Sequence, residues 1–336
     1  MSQTVFVSGA TGFIAQHIVK QLLAEGYNVI GSVRSEAKGE DLKQLAQSDK
    51  FKYVVVPDII KEGAFDKALI DNPEVSVFLH TASPVVIKTT DVEKELLNPA
   101  VEGTKNALFA IKAHGKNVKN VVVTSSVVTM FNSVAAPGSV SVINEESFNQ
   151  VTREDTLKNP DEYGYPASKT LAEHEVWNFV KQEKPQFSVA TIHPTYVFGP
   201  QAYEVKDKSQ LNFSSEEINK ILKLKPDDKL PAGANPFTDV RDVTKAHLLA
   251  FQHPEKFNNK RVLLKTGFWT NELIAYVINE HFSQLSVPKG NKEKSDEQLK
   301  NAPPLDDTKS RELLGFEYIP LEKSIIDSVQ QIVEAK

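Results

Sequence analysis

Short apolar runs rich in Val and Ile alternate with longer amphipathic stretches through the first half of the chain. The runs "TVFVS" (4–8), "NVIGSV" (28–33), "KYVVVP" (52–57), "VSVFLH" (75–80), "NVVVTS" (120–125) and "SVATIH" (188–193) predict strands. Their nearly continuous hydrophobicity suits strands buried on both faces of a parallel sheet. Helix-period segments lie between them, such as Gly12–Glu25, where Ile14, Ile18 and Leu22 share a face and Gly26 offers a stop. Strand–helix units in series predict an α/β fold built on a doubly wound parallel sheet.

After Pro194 the rhythm changes. Residues 199–236 are rich in polar residues and proline, with one short helix expected near Ser215–Leu224. A helix is expected over 238–251, a strand over "RVLLKT" (261–266), and helices near Asn271–Phe282, Asp306–Leu314 and Leu321–Ala335. The C-terminal helices are too short and scattered for an independent domain. The expected organisation is a dinucleotide-type domain, 1–193 plus about 237–266, and a smaller lobe, about 194–236 plus 267–336, folded over the strand ends. The mixed-charge stretch "KGNKEKSDEQLKN" (289–301) reads as a solvated loop.

Composition narrows the function classes. With 336 residues, 40% of them hydrophobic, the chain can bury a full core and carry a second lobe. A net charge of −5 gives no electrostatic footprint for nucleic acid or anionic lipid. The absence of cysteine excludes disulfides, thiolate catalysis and Cys-based zinc sites. "MSQTVFVSGA" lacks the basic and apolar regions of a secretory signal, and no apolar run approaches the roughly 18 residues of a membrane span. The expectation is a cytoplasmic protein with no nucleic-acid or membrane partner.

"VFVSGATGFIAQHIV" joins the first strand to the first helix. Gly9 permits a sharp turn, and Gly12 lets backbone N–H groups approach a pyrophosphate at the positive end of the helix. Ala15 stands where a third glycine often lies, and only small size is required there. The placement supports a Rossmann-type NAD(P)-binding loop over a plain tight turn. NAD sites commonly end the second strand with an acid that accepts bonds from the adenosine ribose. Here the strand ends "GSVRSEAKG", with Arg34 at that point and Lys38 a helical turn on. Such cations suit the 2′-phosphate of NADP(H), the alternative being two ordinary surface charges.

"DEYGYPASKTLAEHEVW" places Lys169 four residues after Tyr165, on one face of an expected helix beginning near Pro166. A phenol near pKa 10 is a reluctant donor at neutral pH, and an adjacent ammonium can lower it by about one to three units. With 8 tyrosines in the chain, about one such pair is expected by chance. Location changes the balance: the pair follows "TSS" (124–126), at the carboxyl end of the fifth strand where such sheets bind ligands. Either serine there could bond a substrate carbonyl or simply cap the loop.

The glycine loop, "HTAS" (80–83), "TSS", "YPASK" and "HPTYVFGP" (193–200) occur in the order of extended short-chain dehydrogenases/reductases. The chain resembles the branch that holds plant dihydroflavonol reductases and fungal NADPH-dependent methylglyoxal and aldehyde reductases. It is most similar to the fungal group, whose "FIAQHIV", "LHTASP" and "EKELL"-like segments it shares. The resemblance spans essentially the whole chain. It implies that Ser126, Tyr165 and Lys169 are catalytic, with Ser126 favoured over Ser125. It further implies that Gly9, Ala10, Thr11, Gly12, Phe13 and Ile14 wrap the pyrophosphate and that Arg34 and Lys38 hold the 2′-phosphate. Asp58 and Ile59 would border the adenine, Thr81 and Ala82 the cofactor path, and Pro194 and Val197 the carboxamide. Ser214 is a further cofactor contact on looser alignment.

The implied reaction is reduction of an aldehyde or ketone, with Tyr165 donating the proton, by a monomer or homodimer. Dihydroflavonol reductases place an asparagine five residues after the active serine, and here that position is Phe131. An apolar ring there, with Tyr196 as a facing wall, favours small or hydrophobic carbonyl compounds. Two rivals share the fold: a nucleotide-sugar epimerase or dehydratase holding NAD tightly, and a non-catalytic NADP-sensing regulator. "HEVWN" lacks the second histidine of a zinc helix, and no Gly-x-Ser-x-Gly elbow exists. Steady-state rates with each cofactor should give a lower KM for NADPH than for NADH; the opposite order would overturn the reading of Arg34 and Lys38.

Overall fold

The computed structural model describes residues 3–83, 89–135, 142–205 and 207–335; Pro84 of "LHTASP" lies outside them. A seven-stranded sheet forms the body, in the order β3-β2-β1-β4-β5-β6-β9 and parallel throughout. Its strands are β1 (Thr4–Ser8), β2 (Asn28–Val33), β3 (Phe51–Val55), β4 (Val75–His80), β5 (Asn120–Thr124), β6 (Ser188–Pro194) and β9 (Lys260–Leu264). A second sheet takes β7 (Tyr196–Phe198), β8 (Ala234–Asp239) and β10 (Gly267–Thr270) in the order β10-β8-β7.

Alternate residues of each central strand feed two separate cores, which is why those strands read as apolar throughout. Val5, Val7, Val77, Leu79 and Val122 pack under helices Phe13–Ala24 and Val240–Gln252. Phe6, Phe78, Val121 and Val123 pack on the other face under helices Asn98–His114 and Pro160–Glu183. There Phe6 stacks on Phe78 with centroids 4.6 Å apart, while Phe65 meets Phe78 edge-on at 5.8 Å. Each such ring stabilises the fold by roughly 1.5–3 kcal/mol through burial alone.

Four expectations change. β3 runs 51–55 rather than 52–57 and, as the sheet edge, buries only Phe51 fully. The segment expected to be irregular over 199–236 ends in strand β8, so the following helix starts at Val240 instead of Thr238. Proline in this central strand is tolerated because Pro236 pairs only with Phe268 of β10, and pairing with β7 starts at Phe237. Residues 292–299 of the expected loop form a helix: Asn291 caps it, buried Ser295 bonds Thr270, and the charges face outward. The Tyr–Lys helix starts at Pro160, which takes its first turn, so Pro166 lies further inside than expected.

The second sheet has its own core, in which Phe198, Phe237 and Trp269 meet Ile218, Ile274, Ile325 and Val329. Gly31 of β2 lies directly beneath the glycine loop, where an added Cβ would come 2.6 Å from the Ala10 Cβ and 3.1 Å from Phe51. Gly31→Ala should therefore destabilise the protein by about 1–3 kcal/mol, the usual range for overpacking. A reduced urea midpoint with an unchanged slope is the expected measurement.

Candidate active site

The sheet reverses its strand order between β1 and β4, and the two strand ends are stitched together there. Ser8 Oγ accepts the amide protons of Thr81 and Ala82, each at 3.0 Å, and lies 3.0 Å from His80 Nδ1. With two donors already on that oxygen, its own proton goes to Nδ1, which leaves the ring proton on Nε2. Burial, aided by the Lys169 charge, pushes His80 down to about 3, so the ring is neutral. Gly9 then turns with φ +65°, and an added Cβ would sit 3.0 Å from the Ala82 Cα. Only glycine combines that turn with so close an approach of two backbones.

Gly12 begins helix Phe13–Ala24 without a side-chain cap and without an acid in the first turn. A helix start leaves the first-turn N–H groups, here those of Phe13 and Ile14, without intrahelical acceptors and free to bond an anion. Ala10 and Gly9 donate to Ser32 O (2.9 Å) and Ser32 Oγ (3.0 Å), fixing the loop to the end of β2. Thr11 O takes the Gln16 amide at 2.8 Å. Arg34 and Lys38 are exposed just beyond Ser32, and their side chains have no partner among the described residues. The uncapped helix and these two unpaired cations fit a dinucleotide carrying an extra phosphate.

Around the third strand's end, Asp58 is exposed and its Oδ1 accepts the Ile60 amide at 2.9 Å, a turn cap. Ile59 is half-buried, and Asn106 Nδ2 donates to the carbonyls of Ile59, Ile60 and Lys61 at 2.8, 3.0 and 3.0 Å. Thr81 is half-buried, with its hydroxyl on Ser8 O.

Helix Pro160–Glu183 lays Tyr165, Lys169, Glu173 and Trp177 in one row at successive spacings of four. Tyr165 is half-buried, and the Ser126 hydroxyl acts on its phenol in the direction that favours ionisation. Ser125 instead turns its Oγ to Glu173 Oε2 at 3.3 Å, away from the phenol. Lys169 is buried and gives Nζ to Thr124 O at 3.2 Å. The electrostatics differ from expectation. Burial pushes the Tyr165 phenol above its ordinary value and the Ser126 bond draws it only partway back. Burial also lowers Lys169 to about 8, with Glu173 opposing that fall. Desolvation, which the spacing of two residues does not reveal, is the largest influence on the phenol, and the opposing influence comes from Ser126.

Behind the row lies a buried polar network. Glu173 accepts Arg261 Nε at 2.6 Å and Trp177 Nε1 at 2.8 Å. Arg261 also donates to Glu145 O at 2.9 Å, to Ser147 O and to Thr129 Oγ1 at 3.1 Å. His193 Nδ1 lies 3.1 Å from Ser126 O; a carbonyl only accepts, so Nδ1 carries the proton and steadies that serine's backbone. Burial alone would raise the Glu173 carboxyl, but the His193 ring and the Arg261 guanidinium hold it at about 2. Burial brings His193 itself to about 4. The imidazole is thus neutral near pH 7, and Arg261 is the cation that counts there.

Pro194 ends β6 opposite Leu264, and Val197 is half-buried in β7 opposite Thr238. Ser214 is buried, accepting the Asn212 side-chain amide at 2.7 Å. Tyr196 packs against Phe198 and Trp269 with centroids 5.0 Å away in each case, and against exposed Phe213 at 6.0 Å. Its hydroxyl is buried without a hydrogen-bond partner among the described residues. Phe131 is half-buried against a cluster that includes Val127, Met130 and Leu263. Glu173, Arg261, His193 and Asn106 were not singled out from sequence. For Glu173 a signal existed, since it continues the Tyr165–Lys169 row by one more turn.

A family model described as "NAD dependent epimerase/dehydratase family" matches residues 5–264. The Candida albicans protein GRP2 is 50% identical over 341 residues, covering 99% of each chain. The NADPH-dependent methylglyoxal reductase GRE2 of Saccharomyces cerevisiae is 39% identical, over 98% of each chain. The crystal structure of Gre2 from Candida albicans in complex with NADPH superposes with a TM-score of 0.92 at 48% identity, over 99% of both chains.

Replacing Arg261 with Met should strand the Glu173 carboxylate in the interior without its cation. The expected loss is about 3–5 kcal/mol in chemical denaturation, the range for breaking one side of a buried pair.

Proposed function

Because the chain belongs to the NAD dependent epimerase/dehydratase family, we propose that it is an NADPH-dependent carbonyl reductase, converting aldehydes and ketones to alcohols. The observation that carries this reading is the convergence at the sheet's carboxyl edge of Ser126, just beyond β5, with the packed helix that carries Tyr165 and, one turn on, buried Lys169, whose Nζ bonds Thr124 O. Whole-length similarity to reductases that use NADPH supports it.

In this reading Gly9, Ala10, Thr11, Gly12, Phe13 and Ile14 cradle the pyrophosphate with backbone N–H groups, and Arg34 and Lys38 hold the 2′-phosphate. Asp58 and Ile59 border the adenine. Thr81, Ala82, Pro194, Val197 and Ser214 line the rest of the cofactor's path. The cofactor, when bound, supplies the hydride that reduces the carbonyl carbon. Ser126 holds the carbonyl oxygen by a hydrogen bond, and Tyr165 passes its proton to that oxygen as the C–O double bond becomes an alcohol. Lys169, charged at neutral pH, binds the nicotinamide ribose and stabilises the phenolate left on Tyr165.

Phe131 and Tyr196 give the substrate apolar walls, which favours methylglyoxal-type compounds, diketones and other small hydrophobic carbonyls. The smaller lobe, about 194–236 plus 267–336, closes over them. Among the described residues no helix is long and apolar enough to cross a membrane; action in the cytoplasm, as monomer or homodimer, is part of the proposal. Tyr165→Phe should lower kcat for NADPH oxidation by about 10²–10⁴-fold, the worth of a general acid, while NADPH affinity stays near wild type. Near-normal kcat in that variant would refute the assignment.

A further inference from the structure

We infer that Glu173 is a positioning residue for Lys169: its buried carboxylate, clamped by Arg261, supplies the negative charge against which that ammonium is held. The inference rests on the reading that Lys169 serves the cofactor ribose. Lys169 and Glu173 are 8% and 3% exposed and line one small cavity with His80, Thr104 and Ser125. The sole hydrogen-bond partner of Lys169 among the described residues is the neutral Thr124 carbonyl, at 3.2 Å. A neutral acceptor does not compensate a cation taken out of water, so a nearby anion is required.

The groups that face Lys169 can be named from each surrounding element. Tyr165 and Glu173 share its helix, His80 comes from β4, His193 from β6 and Arg261 from β9. Both imidazoles are neutral near pH 7, with His80 at about 3 and His193 at about 4. Tyr165 is uncharged. Glu173 is therefore the one anion of the set, and its carboxylate is fixed in place. Arg261 Nε at 2.6 Å, Trp177 Nε1 at 2.8 Å and Ser125 Oγ at 3.3 Å leave it no freedom to turn away. A carboxylate favours the protonated lysine, so neutralising it must move the Lys169 midpoint downward from about 8.

Glu173→Gln alone leaves Arg261 buried without an anion and can fail to fold. The decisive variant is the double substitution Glu173→Gln with Arg261→Gln, which removes both charges and keeps amide groups to pair. Lys169 is titrated by side-chain nitrogen NMR, with its signal identified by loss in Lys169→Met. Of the two charges removed, Glu173 and not Arg261 is the one that acts on Lys169, so the double variant should lower the midpoint by about one pH unit, and the alkaline limb of NADPH oxidation should move down with it. Glu173→Asp, which keeps the charge, should leave the midpoint near wild type. An unchanged midpoint in the folded double variant makes Glu173 a structural residue only and overturns the proposal. So does a wild-type midpoint under about 7, which would mean that the carboxylate fails to offset burial. Full NADPH oxidation by Lys169→Met would sink the proposed role of Lys169 in catalysis, and leave the measured Glu173–Lys169 coupling standing.

Discussion

The buried pair of Glu173 and Arg261 joins three pieces of chain. Glu173 belongs to helix Pro160–Glu183, Arg261 to β9, and the guanidinium reaches the carbonyls of Glu145 and Ser147. Such a pair is costly to desolvate and persists only where its remaining donors and acceptors are satisfied. Here they are: the guanidinium fork bonds side chains and carbonyls on both sides, and the Phe148 ring covers it at 4.1 Å. The consequence is geometric. Lys169 and Tyr165 stand one and two turns along from an anchored residue, so their distance from the strand ends is set by an ion pair rather than by loose packing.

A second fixed point lies across the crevice. Ser8 uses one oxygen for three partners, which locks the exits of β1 and β4 against each other and leaves Gly9 and Ala82 almost in contact. That lock depends on a neutral His80, and burial provides one. The two fixed points share a neighbour: Lys169, whose charge acts on His80 and is itself acted on by Glu173. The glycine loop and the Tyr165 helix, the proposed phosphate cradle and proton donor, are thus held by separate polar networks that meet at one ammonium.

Much of this was legible in sequence and part was not, for identifiable reasons. β1, β2 and β4 have the bounds their apolar runs predict, because strands buried on both faces leave no ambiguity of period. β7, β8 and β10 escaped because each is short, polar or proline-bearing, and is held by pairing to a distant segment. The helix at 292–299 looked like a loop because its stability comes from one cap and one buried serine, with no apolar stripe to announce it. The Tyr165–Lys169 spacing was readable, since i and i+4 share a face. Its companion Arg261 was not, being 88 residues away from Glu173 in sequence. Sequence spacing also misjudged the sign of the phenol's shift, which depends on burial by the surrounding chain.

That sign bears on which way the chemistry runs. A phenol lowered toward neutrality is a ready base and suits removal of a proton from an alcohol. A phenol raised by burial stays protonated at pH 7 and suits donation to a carbonyl oxygen. The lysine beside it remains mostly charged at that pH, so it stabilises the phenolate once the proton has left, without drawing the proton off beforehand. Stabilisation realised only as the proton departs lowers the barrier, whereas stabilisation present from the outset does not. In the proposed reading, a phenol raised by burial with an ammonium one turn behind it is set for reduction at neutral pH, and alkaline conditions that discharge Lys169 work against it.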